Sequence, residues 1–260
     1  MNSYRRALED IMMVGEDRGD RTGTGTKSLF GLQMKFPNVG VDFPLLTGKS
    51  THWRSIAAEL TWFCKGLTNV SYLHEHGCTI WDEWADEQGN VGPVYGAQWR
   101  GWGHDQLATL MHGLEHDPYG RRHIVSAWNV EDLEDMKLPP CHLLWQCYVR
   151  GDYLDLMLTQ RSADMFLGMP FNIASYAALM FMISYPLGME PGTLTINVGD
   201  AHIYDNHLTQ TRKLLHREWP SELPQLRLKN IYKDLGKYEV ADFDLIGYNP
   251  LPKINAPISV

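Results

Sequence analysis

Apolar residues recur along this 260-residue chain at spacings that predict both helices and strands. Helical spacing, or a largely apolar run of helical length, predicts helices over residues 3–18, 49–65, 107–114, 171–187 and 206–217. Apolar–polar alternation, or a short β-prone run, predicts strands over residues 30–36, 142–149, 153–160, 193–198 and 226–232. Arg150-Gly151-Asp152 supplies the turn of a hairpin between the second and third strands. Without an internal repeat, low-complexity tract or linker, the pattern favours a single domain over residues 1–260.

Composition and charge limit the classes to which the chain can belong. Hydrophobic residues make up 44% and charged residues 21%, as in an ordinary soluble globular protein, and no apolar run approaches a membrane span. The N-terminal residues lead into a mixed, acidic segment rather than an apolar signal core, so we expect a cytoplasmic location. A net charge of −8 argues against wholesale nucleic-acid binding. An anionic ligand would therefore need arginines gathered locally.

A cysteine at the start of a predicted strand is the first candidate for chemistry. Cys141 follows Pro139 and Pro140, which fix the backbone, and precedes the strand over 142–149. A thiol held on a rigid strand end is a plausible nucleophile if nearby cations lower its pKa. The alternative is that Cys141 only packs, as most free cysteines do.

Cysteine and histidine spacing does not favour disulfides or a metal. The four cysteines lack the spacing of a disulfide framework, so we expect reduced thiols. His74, His76 and Cys78 alternate, but no second ligand pair follows at a usual distance. His202 and His207 are five residues apart, which does not place them on one helical face. No structural or catalytic metal is expected.

Two basic segments are candidates for phosphate binding. Arg21 opens a loop over residues 21–26 with two glycines and three threonines, which would let backbone amides approach an anion. Arg121 and Arg122 follow the turn at residues 117–120 and suit bidentate binding, although paired arginines are usually solvated. A polar patch at 160–164 ends the strand after the hairpin.

Aromatic and acidic residues between positions 59 and 102 leave two interpretations open. Trp81, Trp84 and Tyr95 lie among aspartates and glutamates, which is typical either of a pocket for a flat polar ring or of a loop pinned by its own aromatics. Glu59 falls within an apolar helical stripe. Its carboxylate belongs either at a helix edge in water or facing a polar cavity.

Several long segments, in one order along nearly the whole chain, resemble the thymidylate synthase family. These segments are residues 21–26, 79–86, 92–96, 98–100, 139–142, 160–162, 166–168, 170–176 and 202–204. The resemblance implies an α+β fold with one large mixed sheet covered by helices on one face. It also implies a homodimer in which the open faces of two sheets pack together.

The resemblance implies transfer of a one-carbon unit to C5 of dUMP from the co-substrate 5,10-methylenetetrahydrofolate. In the leading interpretation the folate also supplies a hydride and the product is dTMP. In a sister reaction, that of a dUMP 5-hydroxymethylase, water captures the methylene intermediate. A catalytically inert homologue is a third possibility, but it would require the loss of Cys141, Asn172 or the arginines, all of which are present.

The resemblance also implies roles for particular residues. Catalytic roles fall to Cys141, Glu59, Tyr95, His142, Arg161 and Asn172, with Cys141 adding to C6 of the uracil. Residues that hold dUMP would be Arg21, Arg121, Arg122, Arg161, Ser162, Asn172, His202 and Tyr204. Arg121 and Arg122 would reach across the dimer. Residues that contact the folate would be Lys49, His52, Trp81, Trp84, Asp164 and the C-terminal Val260, whose carboxylate would help close the site.

A few positions depart from the family pattern. The chain has Gly48-Lys49-Ser50 where the family usually has threonine, lysine and arginine, and that arginine normally tethers the closing C-terminus. Phe181 replaces a common helix histidine, and Val198 replaces a larger apolar residue. We therefore expect weaker closure over the folate, opposed by Trp81, which the resemblance places over the reacting carbon.

Overall fold

A six-stranded mixed sheet is the centre of the computed structural model, which describes residues 1–259. Its strands are β1 (Glu16–Arg18), β2 (Thr26–Phe36), β3 (Ile124–Ser126), β4 (His142–Arg150), β5 (Tyr153–Asp164) and β6 (Glu190–Tyr204), in the order β1-β2-β6-β5-β4-β3. The β5–β6 pair is parallel and the other pairs are antiparallel. A separate ribbon pairs β7 (Gln225–Leu228) with β8 (Phe243–Ile246).

Seven helices accompany the sheet in the described part of the chain. They are α1 (Asn2–Val14), α2 (Trp53–Cys64), α3 (Ser71–Glu75), α4 (Tyr95–Gly101), α5 (Gln106–His116), α6 (Gly168–Ser184) and α7 (Leu208–Leu215). This mixture of helices with a mixed sheet confirms the α+β prediction. None of the helices within residues 1–259 is long and apolar enough to cross a membrane.

Helix α6 is the crossover between the parallel strands β5 and β6 and packs on both. Its sequence is apolar on every side, which is typical of a helix enclosed by other elements, and its residues from Ile173 to Ser184 are all buried. Pro170 lies in the first turn, where a missing backbone N–H breaks no helical hydrogen bond. The helix thus begins at the sheet edge where β5 ends, and it brings the side chains of its first turn to that edge.

The two faces of the sheet differ in exposure. Along β4, Trp145, Cys147 and Val149 are buried, whereas Tyr148 between them is 63% exposed. Along β5, Leu154, Leu156 and Leu158 are buried, while the residues between them are partly exposed. Because side chains alternate across a strand, one face carries the core and the other is open.

The predicted hairpin over 142–160 is confirmed, and Gly151 adopts the positive φ of 59° that its turn requires. Several predicted boundaries were wrong. The first helix ends at Val14 rather than residue 18, because Gly15 is extended and the next three residues pair with β2. The strand predicted over 193–198 runs from Glu190 to Tyr204, because it pairs with β2 on one side and β5 on the other.

Other boundaries shift for local reasons. The helix predicted over 49–65 begins at Trp53, since the preceding residues bond to the C-terminal segment instead. The helix predicted over 206–217 is reduced to α7, preceded by the short 3-10 helix Asp205–His207. The strand predicted over 226–232 ends at Leu228, which pairs with Phe243, the first residue of its antiparallel partner strand.

Candidate active site

A cavity of about 1230 Å³ opens where β5, β6 and the first turn of α6 meet the C-terminal segment. Its lining includes a thiol, several arginines and lysines, aromatic rings, carboxylates and an amide. Predicted site residues on its wall are Arg21, Lys49, His52, Glu59, Trp84, Cys141, Arg161, Ser162, Asp164, Asn172, His202 and Tyr204. Its volume exceeds the usual range for one drug-sized ligand, so two substrates can occupy it together.

Cys141 lies at the cavity wall directly before β4. Its backbone N–H donates to the Tyr95 hydroxyl at 2.8 Å, and its carbonyl accepts from the Arg161 N–H at 2.8 Å. The guanidinium of Arg161 donates to the carbonyls of Pro139 and Pro140 at 2.8 and 3.0 Å. The two prolines and Arg161 therefore fix the position of the thiol, which keeps its sulfur facing the cavity.

Arg161 favours the thiolate of Cys141, as the sequence predicts for arginines near this thiol, but burial has the larger effect. Burial raises the pKa of the thiol, and Arg161 opposes that shift without overcoming it. Among the cavity-lining residues Arg21 is also basic, but the paired arginines 121 and 122 are not part of this wall. Lowering the pKa of the Cys141 thiol below its ordinary value would need additional positive charge near the sulfur.

Glu59 is buried in α2 and its carboxylate reaches the cavity, so the interpretation as a water-facing helix edge is wrong. Its Oε1 accepts a hydrogen bond from the indole N–H of Trp81 at 2.7 Å. Burial raises the pKa of Glu59 to about 7, and the bond from Trp81 partly opposes the shift. Near neutral pH this carboxyl can therefore either give or take a proton.

The raised pKa makes Glu59 a source of pH-dependent stability. Since the pKa is about 7 in the folded protein against an ordinary 4.5, folding gains proton affinity at this site. The contribution is fully present below the unfolded pKa and is lost as pH rises through the folded pKa, by about 3 kcal/mol in all. We expect Glu59→Gln to remove this part of the pH dependence, measured by urea unfolding at about pH 5 and about pH 8.

Glu83→Gln is the matched control, because Glu83 is exposed in the neighbouring loop. It should leave the difference in unfolding free energy between the two pH values unchanged. An unchanged difference in Glu59→Gln itself would contradict the assignment.

Trp81 and Trp84 occupy different layers. Trp81 is 5% exposed and packs against Trp62, with ring centroids 5.4 Å apart, while its N–H is bonded to Glu59. The cavity wall is formed instead by Trp84 and Ile80. Within this chain Trp81 thus orients Glu59 and supports Trp84, rather than presenting its own ring to the cavity.

His142 and Tyr95 lie behind Cys141. His142 is buried, and burial lowers its pKa to about 4, so its ring is neutral at pH 7. Its Nδ1 lies 3.3 Å from the Tyr176 hydroxyl. Burial raises the pKa of Tyr95, whose hydroxyl accepts from the Cys141 N–H and keeps its own proton. Neither ring is part of the cavity wall, so any action on a ligand would pass through water or Cys141.

Asn172 and Asp164 are held by hydrogen bonds that fix their orientation. The Asn172 Oδ1 accepts from the Gln160 Nε2 at 3.0 Å, and Asn172 lines the cavity. The Asp164 Oδ1 accepts from the backbone N–H groups of Phe166 and Leu167 at 2.8 and 3.1 Å. A fixed amide and a fixed carboxylate at adjoining positions can read the polar edges of flat rings.

Lys49 is a cation pressed against an aromatic ring at the cavity wall. Its Nζ lies 4.6 Å from the Phe166 ring centroid. Burial lowers its pKa to about 8, while Asp164 opposes the shift and Lys253 adds to it. At neutral pH the amine stays mainly protonated and can attract a carboxylate.

Arg121 and Arg122 are the two predicted phosphate-binding residues that this chain does not bring to the cavity. Both are exposed just before the edge strand β3. The backbone carbonyl of Arg121 accepts from Gln146 at 3.4 Å. Because neither residue lines the cavity of its own chain, either could contact a bound phosphate only in the cavity of another copy of the protein.

The C-terminal segment was the least anticipated part of the wall. Residues 253–256, Ile258 and Ser259 line the cavity, and Val260 lies outside the described residues. The Ser259 hydroxyl accepts from Asn206 at 3.1 Å, and the buried His207 donates from Nε2 to the carbonyl of Pro257 at 2.6 Å. Irregular chain of this kind has no periodicity, so the sequence carried no signal for these contacts.

No group of three or more His, Cys, Asp or Glu side chains within residues 1–259 is positioned to hold a metal ion. The charged groups of the cavity are instead arranged around a thiol, a buried carboxyl and cations.

A comparison with protein families gives a match over nearly the full length of the chain. The family described as thymidylate synthase matches residues 2–260. Members of this family transfer a one-carbon unit to C5 of dUMP with methylenetetrahydrofolate as co-substrate. The match therefore assigns a C5 one-carbon transferase activity at family level. With its matched length and its mixed α+β sheet, the chain belongs to the thymidylate synthase family.

Proposed function

We propose that this protein converts dUMP to dTMP, with 5,10-methylenetetrahydrofolate supplying both the methylene carbon and a hydride. One observation carries the proposal: Cys141, the cations Arg21 and Arg161, and the amide of Asn172 line the same cavity. A nucleophile, an anion-binding group and a base-reading group are the three functions that a nucleotide-alkylating site needs.

The phosphate of dUMP would bind at the end of β5. Arg161 uses one N–H of Nε and one of Nη2 for the proline carbonyls, which leaves three N–H groups for an anion. Arg21 and Ser162 line the same part of the cavity. Arg121 and Arg122 would come from a second subunit, which the exposed face of the sheet supports: Tyr148 on that face is 63% exposed and has room to pack on a second copy.

The base would be a uracil rather than a cytosine. Because Gln160 occupies one lone pair of the Asn172 Oδ1, the amide is held with its NH₂ toward the uracil O4 and its remaining lone pair toward N3–H. Cytosine reverses both groups and would leave buried polar atoms facing like partners. His202 and Tyr204, which also line the cavity, would bind the ribose hydroxyl.

Addition of the Cys141 sulfur to C6 would place negative charge on C5 and O4 of the ring. C5 would then attack the methylene carbon of the folate, with cleavage of the bond from that carbon to one folate nitrogen. Loss of the C5 proton would expel the second folate nitrogen and leave an exocyclic methylene on C5. Hydride transfer from the folate to this methylene would form the methyl group and dihydrofolate, and the Cys141 thiolate would leave C6. Glu59 would relay protons to O4 and from C5 through ordered water, since a carboxyl with a pKa of about 7 exchanges protons in both directions. Tyr95 and His142 would support this relay from behind Cys141, Tyr95 through its remaining hydroxyl proton.

The folate would occupy the mouth of the cavity. Lys49, His52, Trp84 and Asp164 line that region, and the segment ending at Ser259 covers it. Trp84 offers the flat apolar surface, while Asp164 offers a fixed acceptor for a pterin N–H. Trp81 would not contact the folate directly but would position Glu59 and Trp84. Val260 would complete the segment that covers the cavity.

The competing product, 5-hydroxymethyl-dUMP, would form if water reached the exocyclic methylene before the hydride. Ser50 favours this outcome, because it offers no guanidinium to hold the tail. The observed bonds of the tail to Asn206 and His207 favour closure and hence dTMP.

The expected result is a product heavier than dUMP by one CH₂, because a methyl group replaces the C5 hydrogen, formed with one dihydrofolate per turnover. Mass spectrometry of the nucleotide and absorbance of dihydrofolate measure both. A nucleotide carrying one extra oxygen, with the folate left as tetrahydrofolate, would show instead a hydroxymethylase. No release of the C5 proton of dUMP at all would refute both reactions.

A further inference from the structure

Arg217, just after α7, bonds two segments that are far apart in sequence. Its Nη1 donates to the carbonyl of Gly48 at 2.8 Å and to the carbonyl of Pro252 at 2.6 Å. One nitrogen carries two hydrogens, so both bonds form at once. The mouth loop (residues 46–52) and the C-terminal segment (residues 248–259) are thereby joined through one guanidinium.

The position of Arg217 is fixed from behind. Arg5 of α1 donates to the carbonyls of Leu215 at 2.6 Å and of Arg217 itself at 3.4 Å. The guanidinium carbon of Arg5 lies 5.1 Å from the centre of the Trp219 ring, and the indole N–H of Trp219 donates to Leu214 at 2.9 Å. The end of α7 is therefore anchored to the body of the protein.

Gly48 has a physical reason to be glycine here. A Cβ at this position would lie 2.6 Å from the Trp219 ring. Only a residue without a side chain lets the loop lie flat on that ring, and in this arrangement its carbonyl meets Arg217. The departure at Gly48 and the bond to Arg217 thus belong to one local arrangement.

Each carbonyl that Arg217 holds immediately precedes a lysine of the cavity wall. The Gly48 carbonyl belongs to the peptide that leads into Lys49, and the Pro252 carbonyl to the peptide that leads into Lys253. Further bonds join the same segments: the Leu251 N–H donates to Thr47, and the Tyr248 hydroxyl donates to Leu46. If Arg217 were removed, only these other bonds would join the two segments. Lys49 and Lys253 would then be held less firmly.

We propose that Arg217 is a positioning residue that sets the spacing of Lys49 and Lys253 across the cavity mouth, and so the binding of the anionic end of the second substrate. It holds the C-terminal segment at a site where Ser50 offers no guanidinium. The identity of that substrate rests on the proposed function, whereas the clamp itself is a property of the substrate-free protein.

The first test compares Arg217→Met, which keeps the length of the side chain but has no donor, with the unaltered enzyme. The KM for methylenetetrahydrofolate should rise about tenfold or more, while the dissociation constant for dUMP alone stays within about twofold. Arg217→Lys should recover most of the affinity, because an ammonium can still donate to both carbonyls. Arg212→Met is the matched control, because Arg212 is an exposed arginine on α7, the helix that precedes Arg217, and this change should leave the KM unchanged.

The second test uses no substrate. Hydrogen exchange of the backbone amides of Thr51 and Leu251, which bond across the two segments, should be about tenfold faster in Arg217→Met than in Arg212→Met. If these amides exchanged at the same rate in Arg217→Met as in Arg212→Met, Arg217 would not hold the two segments together, whatever the activity of the variant. Faster exchange with an unchanged KM for the folate would overturn the positioning role. If the unaltered protein showed no turnover, the proposed function would fail and exchange alone would decide the clamp.

Discussion

Replacing Cys141 with alanine is expected to abolish release of the C5 proton of dUMP, by roughly 10⁴-fold or more. The reason is that the ring carbon C5 becomes nucleophilic only after a covalent bond forms at C6. Cys141 is the cavity-lining cysteine, and no other side chain on that wall is nucleophilic enough at neutral pH to replace it. The dissociation constant for dUMP should change by no more than about threefold, because the phosphate and base contacts remain.

The measurement is release of tritium from dUMP labelled at C5, with methylenetetrahydrofolate present. Cys147→Ala serves as the control, because that thiol is 1% exposed on β4 and its pKa is raised by burial alone. It should keep most of the activity, with some loss of stability from the small cavity it creates. Turnover close to that of the unaltered enzyme in Cys141→Ala would end the assignment of Cys141 as the nucleophile.

The sequence predicted well the helices and strands whose formation depends on their own residues. The hairpin of β4 and β5 follows from two apolar runs around a glycine turn, and α6 follows from a long apolar stretch. The predicted boundaries were wrong where a segment distant in sequence determines the point at which a strand or helix begins or ends. β6 extends to fifteen residues because β2 and β5 flank it, and α2 starts late because residues 46–52 bond to the tail. Pattern alone does not contain these partners.

The site shows the same division. Motif residues such as Arg161, Asn172 and Asp164 were found from the sequence, and the structure brings them to one cavity. Arg217, His207 and the wall from Lys253 to Ser259 were not found, because backbone carbonyls accept their bonds and any residue type supplies a carbonyl. The position of Trp81 behind the cavity wall was also not predicted. Its indole N–H donates to the buried carboxyl of Glu59, a contact that the sequence pattern does not reveal.

The raised pKa of the Cys141 thiol is a reason to look for positive charge contributed by a second chain. Arg161 alone does not overcome the burial that raises the pKa of the thiol. A second pair of guanidiniums near the phosphate site would add positive potential and favour the thiolate. Arg121 and Arg122 are exposed and unused within this cavity, which is the arrangement expected if each subunit lends them to its partner.

Mixing two inactive variants is therefore expected to restore activity. Arg122→Glu places a negative charge at the phosphate of the partner's site, and Cys141→Ala removes the nucleophile of its own site. After subunit exchange at equal amounts, half of the dimers are mixed, and each has one intact site of two. Activity should thus reach about a quarter of that of the unaltered enzyme. Each variant alone, carried through the same incubation, should stay inactive. If native mass spectrometry shows mixed dimers while C5 proton release stays at background, each site is built from one chain and the shared arrangement is wrong.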